Sequence, residues 1–277
     1  MQQLEDLNLL DNFLFQEVAC NEEYGEEFCR IVLGTILNRE MKNLKVEVEK
    51  TYLGTEPEYH GIRLDALVTE MSEDDSGSFE RTIFDLEPNL YEIEYPERRG
   101  RYYHSLAAVK NFQRGDKYRD LADIYVIFIL PYDPFGKGRM LYTMETCCRE
   151  VPELFCDDGM HTLFLYTKGK YPPSKELADM LYYMENSRDE NLTNVTLERI
   201  SQMVRRTKSD GKVGIRYMQL WEHDEIIKKQ ALEQGIRILM ETYREDGHSR
   251  EETFRKVQEK YQLTRQKTEE YMNQWWH

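Results

Sequence analysis

Asp65 and Glu87 are the residues whose type and spacing offer this chain a metal-assisted reaction. Asp65 belongs to the run Gly-Ile-Arg-Leu-Asp-Ala-Leu-Val at 61–68, where Ile62, Leu64, Ala66 and Val68 alternate with Arg63, Asp65, Leu67 and Thr69. That period of two is the pattern of a strand, and it sets Asp65 on the face opposite Ile62 and Leu64. Glu87 belongs to Phe-Asp-Leu-Glu-Pro-Asn at 84–89. Here Phe84 and Leu86 share one face, Ile83, Asp85, Glu87 and Asn89 share the other, and Pro88 marks the strand end. Residues 70–80, with Ser72, Ser76, Gly77 and Ser78, read as the connecting loop of an antiparallel hairpin, so Asp65 and Glu87 are expected to meet on one face. Two carboxylates sharing a hard cation are the minimal equipment for Mg²⁺-assisted phosphodiester hydrolysis. Asn89, two residues beyond Glu87 on the same face, is placed to orient the attacking water.

Next to these carboxylates stands a basic group, Arg98, Arg99 and Arg101, followed by Tyr102, Tyr103 and His104. Arg99 and Arg101 are the candidates to hold a phosphate, since a guanidinium donates two parallel hydrogen bonds to it. Arg98 and Tyr103 complete the expected DNA-binding set. For Tyr102, Tyr103 and His104 the alternative is packing of an aromatic helix on the sheet. Asp85 is a candidate supporting acid, and Asp11 and Glu17 approach from the first helix. Two further basic groups, Lys110, Arg114, Lys117 and Arg119, then Arg205, Arg206, Lys208 and Lys212, read as solvated faces balancing nearby acids.

The elements that must position these residues follow from periodicity. Residues 9–18 and 22–37 have helical spacing, with Phe28, Ile31, Val32, Thr35 and Ile36 forming an apolar stripe. Residues 45–53 alternate as a first strand, and residues 96–113 form a helix carrying Tyr103, Leu106, Val109, Lys110 and Gln113. The unbroken apolar run 124–130 is a strand buried on both faces, expected at the centre of the sheet that holds the hairpin. Residues 131–139 are turn-rich and 163–166 form another short strand. After Pro172-Pro173 the pattern is helical: 177–184, 196–205, 223–244, 249–261 and 264–276. Ser249 with Glu252 is a capping box that fixes one helix start. The last pair of helices has helix-turn-helix proportions with Phe254, Val257, Tyr261, Tyr271 and Trp275 as its small core, but Glu251, Glu252, Glu259, Glu269 and Glu270 oppose phosphate binding and favour packing.

Composition narrows the class. A chain of 277 residues with 40% apolar and 12% aromatic residues buries a substantial core and is not disordered. No apolar run reaches the ~20 residues needed to span a bilayer, and residues 1–10 lack the features of a signal peptide. The expectation is a cytoplasmic protein with no membrane partner. Five cysteines, Cys20, Cys29, Cys147, Cys148 and Cys156, include no Cys-x-x-Cys pair and read as reduced thiols. Cys148, Cys156 and His161 have zinc-compatible spacing but lack a fourth ligand. A net charge of −15 weighs against general affinity for nucleic acid, so DNA binding must rest on local clusters.

Across most of its length the chain resembles the PD-(D/E)XK nuclease family transposases, the Rpn-like recombination-promoting nucleases of bacteria. The matching stretches are Asp11-Asn12-Phe13-Leu14-Phe15-Gln16-Glu17-Val18, His60-Gly61-Ile62-Arg63-Leu64-Asp65, Phe84-Asp85-Leu86-Glu87, Arg98-Arg99-Gly100-Arg101-Tyr102-Tyr103-His104-Ser105, and Tyr125-Val126-Ile127-Phe128-Ile129 with Asp133-Pro134-Phe135-Gly136. The resemblance implies an α/β restriction-endonuclease-like core, a mixed central sheet flanked by helices, with a C-terminal helical extension. It implies Asp65 and Glu87 as ligands of Mg²⁺ or Mn²⁺, the Pro88 carbonyl as a further ligand, and DNA as partner. The chain departs from the family at the third catalytic position. The superfamily has Lys there and these members typically Gln, whereas Asn89 is one methylene shorter than Gln.

The expected organisation is a nuclease-like core over 1–172, a helical extension packed on it over 173–222, and a helical tail over 223–277 that offers a surface for a homodimer. Two other readings stay open: a nuclease-like fold that binds DNA without cutting it, and a protein-interaction module with a decayed site.

Overall fold

The computed structural model describes residues 3–47, 51–52, 62–63, 66–73 and 79–276. Asp65 lies outside them. Six strands form one mixed sheet: β1 (Leu44–Glu47), β2 (Ala66–Glu73), β3 (Phe79–Pro88), β4 (Asp123–Leu130), β5 (Leu141–Met144) and β6 (Met160–Tyr166), in the spatial order β1-β2-β3-β4-β6-β5. The first three pair antiparallel, β3 pairs parallel with β4, β4 parallel with β6, and β5 closes the edge antiparallel to β6. As the unbroken apolar run 124–130 requires, β4 lies inside the sheet with the hairpin strands on one side, and its residues Val126 to Leu130 are fully buried.

Several boundaries differ from the sequence pattern for identifiable reasons. The strand carrying Ala66 does not end near Val68 but runs to Glu73, while Ile62–Arg63 pairs with Thr51–Tyr52 in a separate two-stranded ribbon. The extension was masked by Glu70, a charge in the middle of a strand. It is buried because Arg39 meets it with both terminal nitrogens, at 2.6 and 3.1 Å, and the Lys42 backbone N–H donates to the same carboxylate at 2.8 Å. The expected strand over 45–53 appears as Leu44–Glu47 and Thr51–Tyr52. Strand β5 was missed because its Leu-Tyr-Thr-Met sequence is short and half exposed.

Helices cover both faces. On one, α1 (Asn12–Ala19) touches β3 and α2 (Gly25–Leu37) touches β1, with Phe15 set edge-on against Phe28 at 5.3 Å. Asp11 starts α1 as its cap, accepting the Leu14 N–H, and burial raises its pKa above the usual carboxylate range. On the other face lies α3 (Pro96–Asn111), which begins with proline at a position where no backbone donor is needed. Tyr103, Leu106 and Ala107 of α3 pack on Leu67, Ile83, Ile124, Val126, Phe128 and Leu130. Gly100 makes that approach close: a Cβ there would sit 3.2 Å from the Thr162 methyl and 3.4 Å from the Phe128 ring. The helices α4 (Lys175–Glu185) and α5 (Val195–Ser209) complete this part of the chain by packing on α1 and α2.

The chain forms two compact units, one up to Gly214 and one from Ile215 onward. The second comprises most of α6 (Gly211–Glu245), then α7 (Arg250–Tyr261) and α8 (Arg265–Trp275). Helix α6 starts at Gly211, twelve residues before the expected 223, with Gly211 and Gly214 in its first turn (223 − 211 = 12). Ile236, Met240, Val257, Tyr271 and Met272 form the buried centre of this unit, and the Tyr261 hydroxyl approaches Gly235 where a Cβ would stand 2.9 Å away. Ser249 and Glu252 form the expected reciprocal cap of α7. No helix among the described residues is long and apolar enough to cross a membrane.

Candidate functional site

The C-terminal end of β3 brings together most of what the sequence singles out. Alternation along the strand sends Ile83, Asp85 and Glu87 to the face covered by α3, where Asp85 is 2% and Glu87 1% exposed. A carboxylate this deep costs several kcal/mol unless a positive charge or hydrogen bonds compensate it. Helix α3 supplies the charge. It runs back over β3, tied at its far end by Arg81, whose Nη2 donates to the Asn111 carbonyl at 2.6 Å. At its near end Arg99 Nη2 lies 3.4 Å from Glu87 Oε2. The Nε–H of the same guanidinium donates to the Tyr103 hydroxyl at 2.6 Å, and its carbon lies 5.2 Å from the Tyr103 ring centre. Burial, and then the adjacent Glu87 carboxylate, push the Tyr103 hydroxyl above its ordinary range, so it stays protonated.

Tyr103 was expected among the DNA contacts. At 4% exposure, with its ring 6.2 Å from that of Phe128, it is a core residue whose polar end holds Arg99. Arg98 and Arg101 are exposed, and Arg98 lies over the Tyr95 ring at 5.2 Å. Tyr102 is partly exposed. His104 is buried, shares a 2.8 Å hydrogen bond between Nε2 and the Thr162 hydroxyl, and has no partner for Nδ1 among the described residues. Burial first, and His161 second, bring its pKa down to about 4, so the ring is neutral.

Asn89 stands just past the strand end, fixed by its N–H to the Ile129 carbonyl at 3.0 Å. Its side-chain amide donates to the Glu87 backbone carbonyl at 3.0 Å, turning back on its own strand. Pro88, buried between the two, is in register with Ile129. In the β2/β3 pairing the described register reaches Ala66↔Leu86. Among the described residues no group of three or more His, Cys, Asp or Glu side chains is arranged to hold a metal ion.

Two residues outside the expected site set shape this end of the sheet, Tyr132, which the sequence reading passes over, and Asp133, which it places in a matching stretch without a role. Tyr132 accepts the Ile93 N–H at 2.8 Å and so pins the loop that leaves Asn89. The signal was available, since parallel pairing of β3 and β4 places the residues after Leu130 beside those after Pro88. Asp133 organises the following loop, accepting the Tyr142 hydroxyl at 2.7 Å and the N–H groups of Phe135 and Gly138. Although burial works the other way, these donors hold its carboxyl below the usual range. Tyr95, Tyr132 and the acids Glu92, Glu94, Glu97 and Asp133 line an open cleft of about 380 Å³.

The other basic groups have different employment. Arg205 pairs with Asp189 at 2.8 Å, Arg206 pairs with Glu23, and Lys208 donates to the Glu5 and Leu7 carbonyls at 2.7 and 2.6 Å, tying the N-terminal segment to α5. Lys110, Arg114, Lys117 and Arg119 are exposed, and Arg119 pairs with Asp120 at 3.5 Å. Comparison of the chain with protein-family models, curated proteins and solved structures gave no match.

Proposed function

We propose that the chain is a metal-dependent DNA endonuclease of the PD-(D/E)XK type, associated with transposition or recombination, built on a restriction-endonuclease-like core. The observation that carries the reading is Glu87, a carboxylate buried at the end of an interior strand and facing a guanidinium from the adjacent helix. A buried charge of this kind is costly as architecture and is commonly kept for chemistry.

The donors fit a hard cation. The Glu87 carboxylate and the neighbouring Pro88 carbonyl are oxygen ligands, the kind that Mg²⁺ and Mn²⁺ take. Asp65 completes the set if the β2/β3 register, described to Ala66↔Leu86, runs one pair further and sets it opposite Glu87. Bound there, the cation would polarise a phosphoryl oxygen and make a coordinated water more acidic. Exposed Arg98 and Arg101 contact the phosphate backbone, which localises DNA on one face of a chain whose total charge repels it. Tyr103 fixes the orientation of Arg99, and Asp85 lies buried two residues before Glu87 on the same face.

A second reading, a catalytically impaired nuclease-like protein that binds DNA or another protein, is favoured by Asn89. Its amide is engaged with the Glu87 carbonyl, and to orient water it must leave that bond. Incubation of plasmid and single-stranded DNA with Mg²⁺, Mn²⁺ or chelator, for the wild type and Glu87→Gln, separates the two. Cleavage that needs both metal and Glu87 supports the enzyme. Metal binding without cleavage selects the second reading, and absence of metal binding in calorimetry overturns the first.

A further inference from the structure

The segment that follows α3 carries a basic, aromatic surface that the site at Glu87 does not use. Phe112 and Tyr118 stack with ring centres 5.7 Å apart and planes 22° from parallel. Tyr118 is 85% exposed, so the outer face of its ring is bare and its burial contributes little to the fold. Around the pair stand Lys110, Arg114, Lys117 and Arg119, all exposed. The acids of the segment are spent within it. Asp116 accepts the Gln113 N–H at 2.7 Å, and Asp120 accepts the Lys117 N–H at 3.1 Å while pairing with Arg119 at 3.5 Å. Among the described residues no carboxylate forms an ion pair with Lys110, Arg114 or Lys117. Four cations against two acids leave residues 110–120 at +2 (4 − 2 = 2) in a chain of −15.

A row of cations by itself suits any nucleic acid, duplex included. The ring changes the class. Bases in a duplex are covered by their neighbours, whereas an unpaired base offers its face to an exposed aromatic ring, whatever its identity. We propose that residues 110–119 bind single-stranded DNA, with a base on the outer face of Tyr118, Phe112 behind that ring, and Lys110, Arg114 and Lys117 on the flanking phosphates. The surface follows the end of α3 away from Arg99, twelve residues and about 18 Å along the helix axis (111 − 99 = 12). The choice of DNA over RNA rests on the nuclease reading above, while the stacking and the charge stand without it.

The test is fluorescence anisotropy of a short labelled oligothymidylate with the full chain in chelator, where metal-dependent cleavage does not intervene. Wild type should bind it, Tyr118→Ala about 10-fold more weakly, the scale of one lost base stack, and Tyr118→Phe nearly as well as wild type. Affinity for a duplex of the same length should be equal in wild type and Tyr118→Ala. Replacing Lys110, Arg114 and Lys117 together by Gln should flatten the slope of log affinity against log salt by about 2, from three single-strand phosphate contacts at about 0.7 each. If Tyr118→Ala melts lower than wild type, this slope decides. No binding by wild type, or equal oligothymidylate binding by a normally folded Tyr118→Ala, overturns the surface. A matching loss of duplex affinity overturns the single-strand assignment, and tighter binding of an oligouridylate overturns the choice of DNA. Cleavage with Mg²⁺ or Mn²⁺ is scored separately: a Tyr118-dependent complex that is never cut keeps the surface and removes the enzyme, and cutting by Tyr118→Ala with unaltered binding does the reverse.

Discussion

Glu70 and Glu87 lie on neighbouring strands, both almost fully buried, and each faces an arginine, yet they sit on opposite faces of the sheet and are held very differently. Arg39 meets Glu70 through two contacts in the parallel geometry that guanidinium and carboxylate share, and a backbone N–H from Lys42 takes part as well. Arg99 approaches Glu87 at 3.4 Å with another of its donors already spent on Tyr103. The first pair is a fastening between the end of α2 and the sheet. The second joins the sheet to α3 through a guanidinium that Tyr103 also holds. Burial alone does not mark a functional carboxylate, because Glu70 is as buried as Glu87 and serves the frame.

If that distinction holds, Glu87→Gln abolishes any metal-dependent cleavage, by about 1000-fold or more, while changing stability by less than about 1 kcal/mol. Plasmid nicking and urea unfolding on the same preparation measure the two effects. The converse substitution is Arg39→Ala, which strands Glu70 and should cost about 3 kcal/mol in urea unfolding, with Arg99→Gln costing clearly less. Equal losses from the two arginine variants would break the comparison, because Glu87 would then be a fastening too.

His104 gives a third test, since its pKa of about 4 in the folded chain lies below the ordinary value of 6.5. The unfolded chain therefore takes up the proton first. Stability contributed by the neutral ring is full above pH 6.5 and is lost as pH falls toward 4, by up to about 3 kcal/mol. His104→Gln, which keeps a polar partner for the Thr162 hydroxyl, should flatten the dependence of unfolding free energy on pH across that window. The smallest effect is expected of Asn89→Gln, where the extra methylene restores reach toward a metal-bound water and raises cleavage by a factor of about 10 or less. A fall in rate would mean that the amide serves the chain best where it is, on the Glu87 carbonyl.

Much of the frame was legible because it obeys local rules. The apolar run of β4, the alternation around Glu87, the proline opening α3 and the cap at Ser249 each announce their element within a few residues. What stayed hidden depends on distant partners. Glu70 reads as a loop charge until Arg39 is brought beside it, and β2 was cut short for that reason. Tyr103 reads equally as a DNA contact or a packing residue, and its burial against Phe128 is a fact of the assembled sheet. At the site, the sequence pointed to Glu87, Asn89 and Arg99 as neighbours, but the hydrogen bonds that turn Asn89 back and bind Arg99 to Tyr103 are set by side-chain geometry that no spacing encodes. Asp65 lies outside the described residues, so its part in the pair remains with the proposal.

The parallel pairing of β3 with β4 also sets when this site comes into being. β2 and β3 are joined by a short connection, and hairpins of that kind form on the microsecond scale. β4 meets β3 only after the chain has traversed α3, which places Asp85 beside a residue 41 positions later, Val126 (126 − 85 = 41). Closing that separation costs entropy before any contact repays it, so the pairing is expected late in folding. The Ile129 carbonyl that fixes the Asn89 backbone arrives with it. In hydrogen exchange the Asn89 amide should open together with β4 and not with the β2/β3 hairpin, so a newly made chain carries Glu87 on a finished hairpin before Asn89 has been set in place.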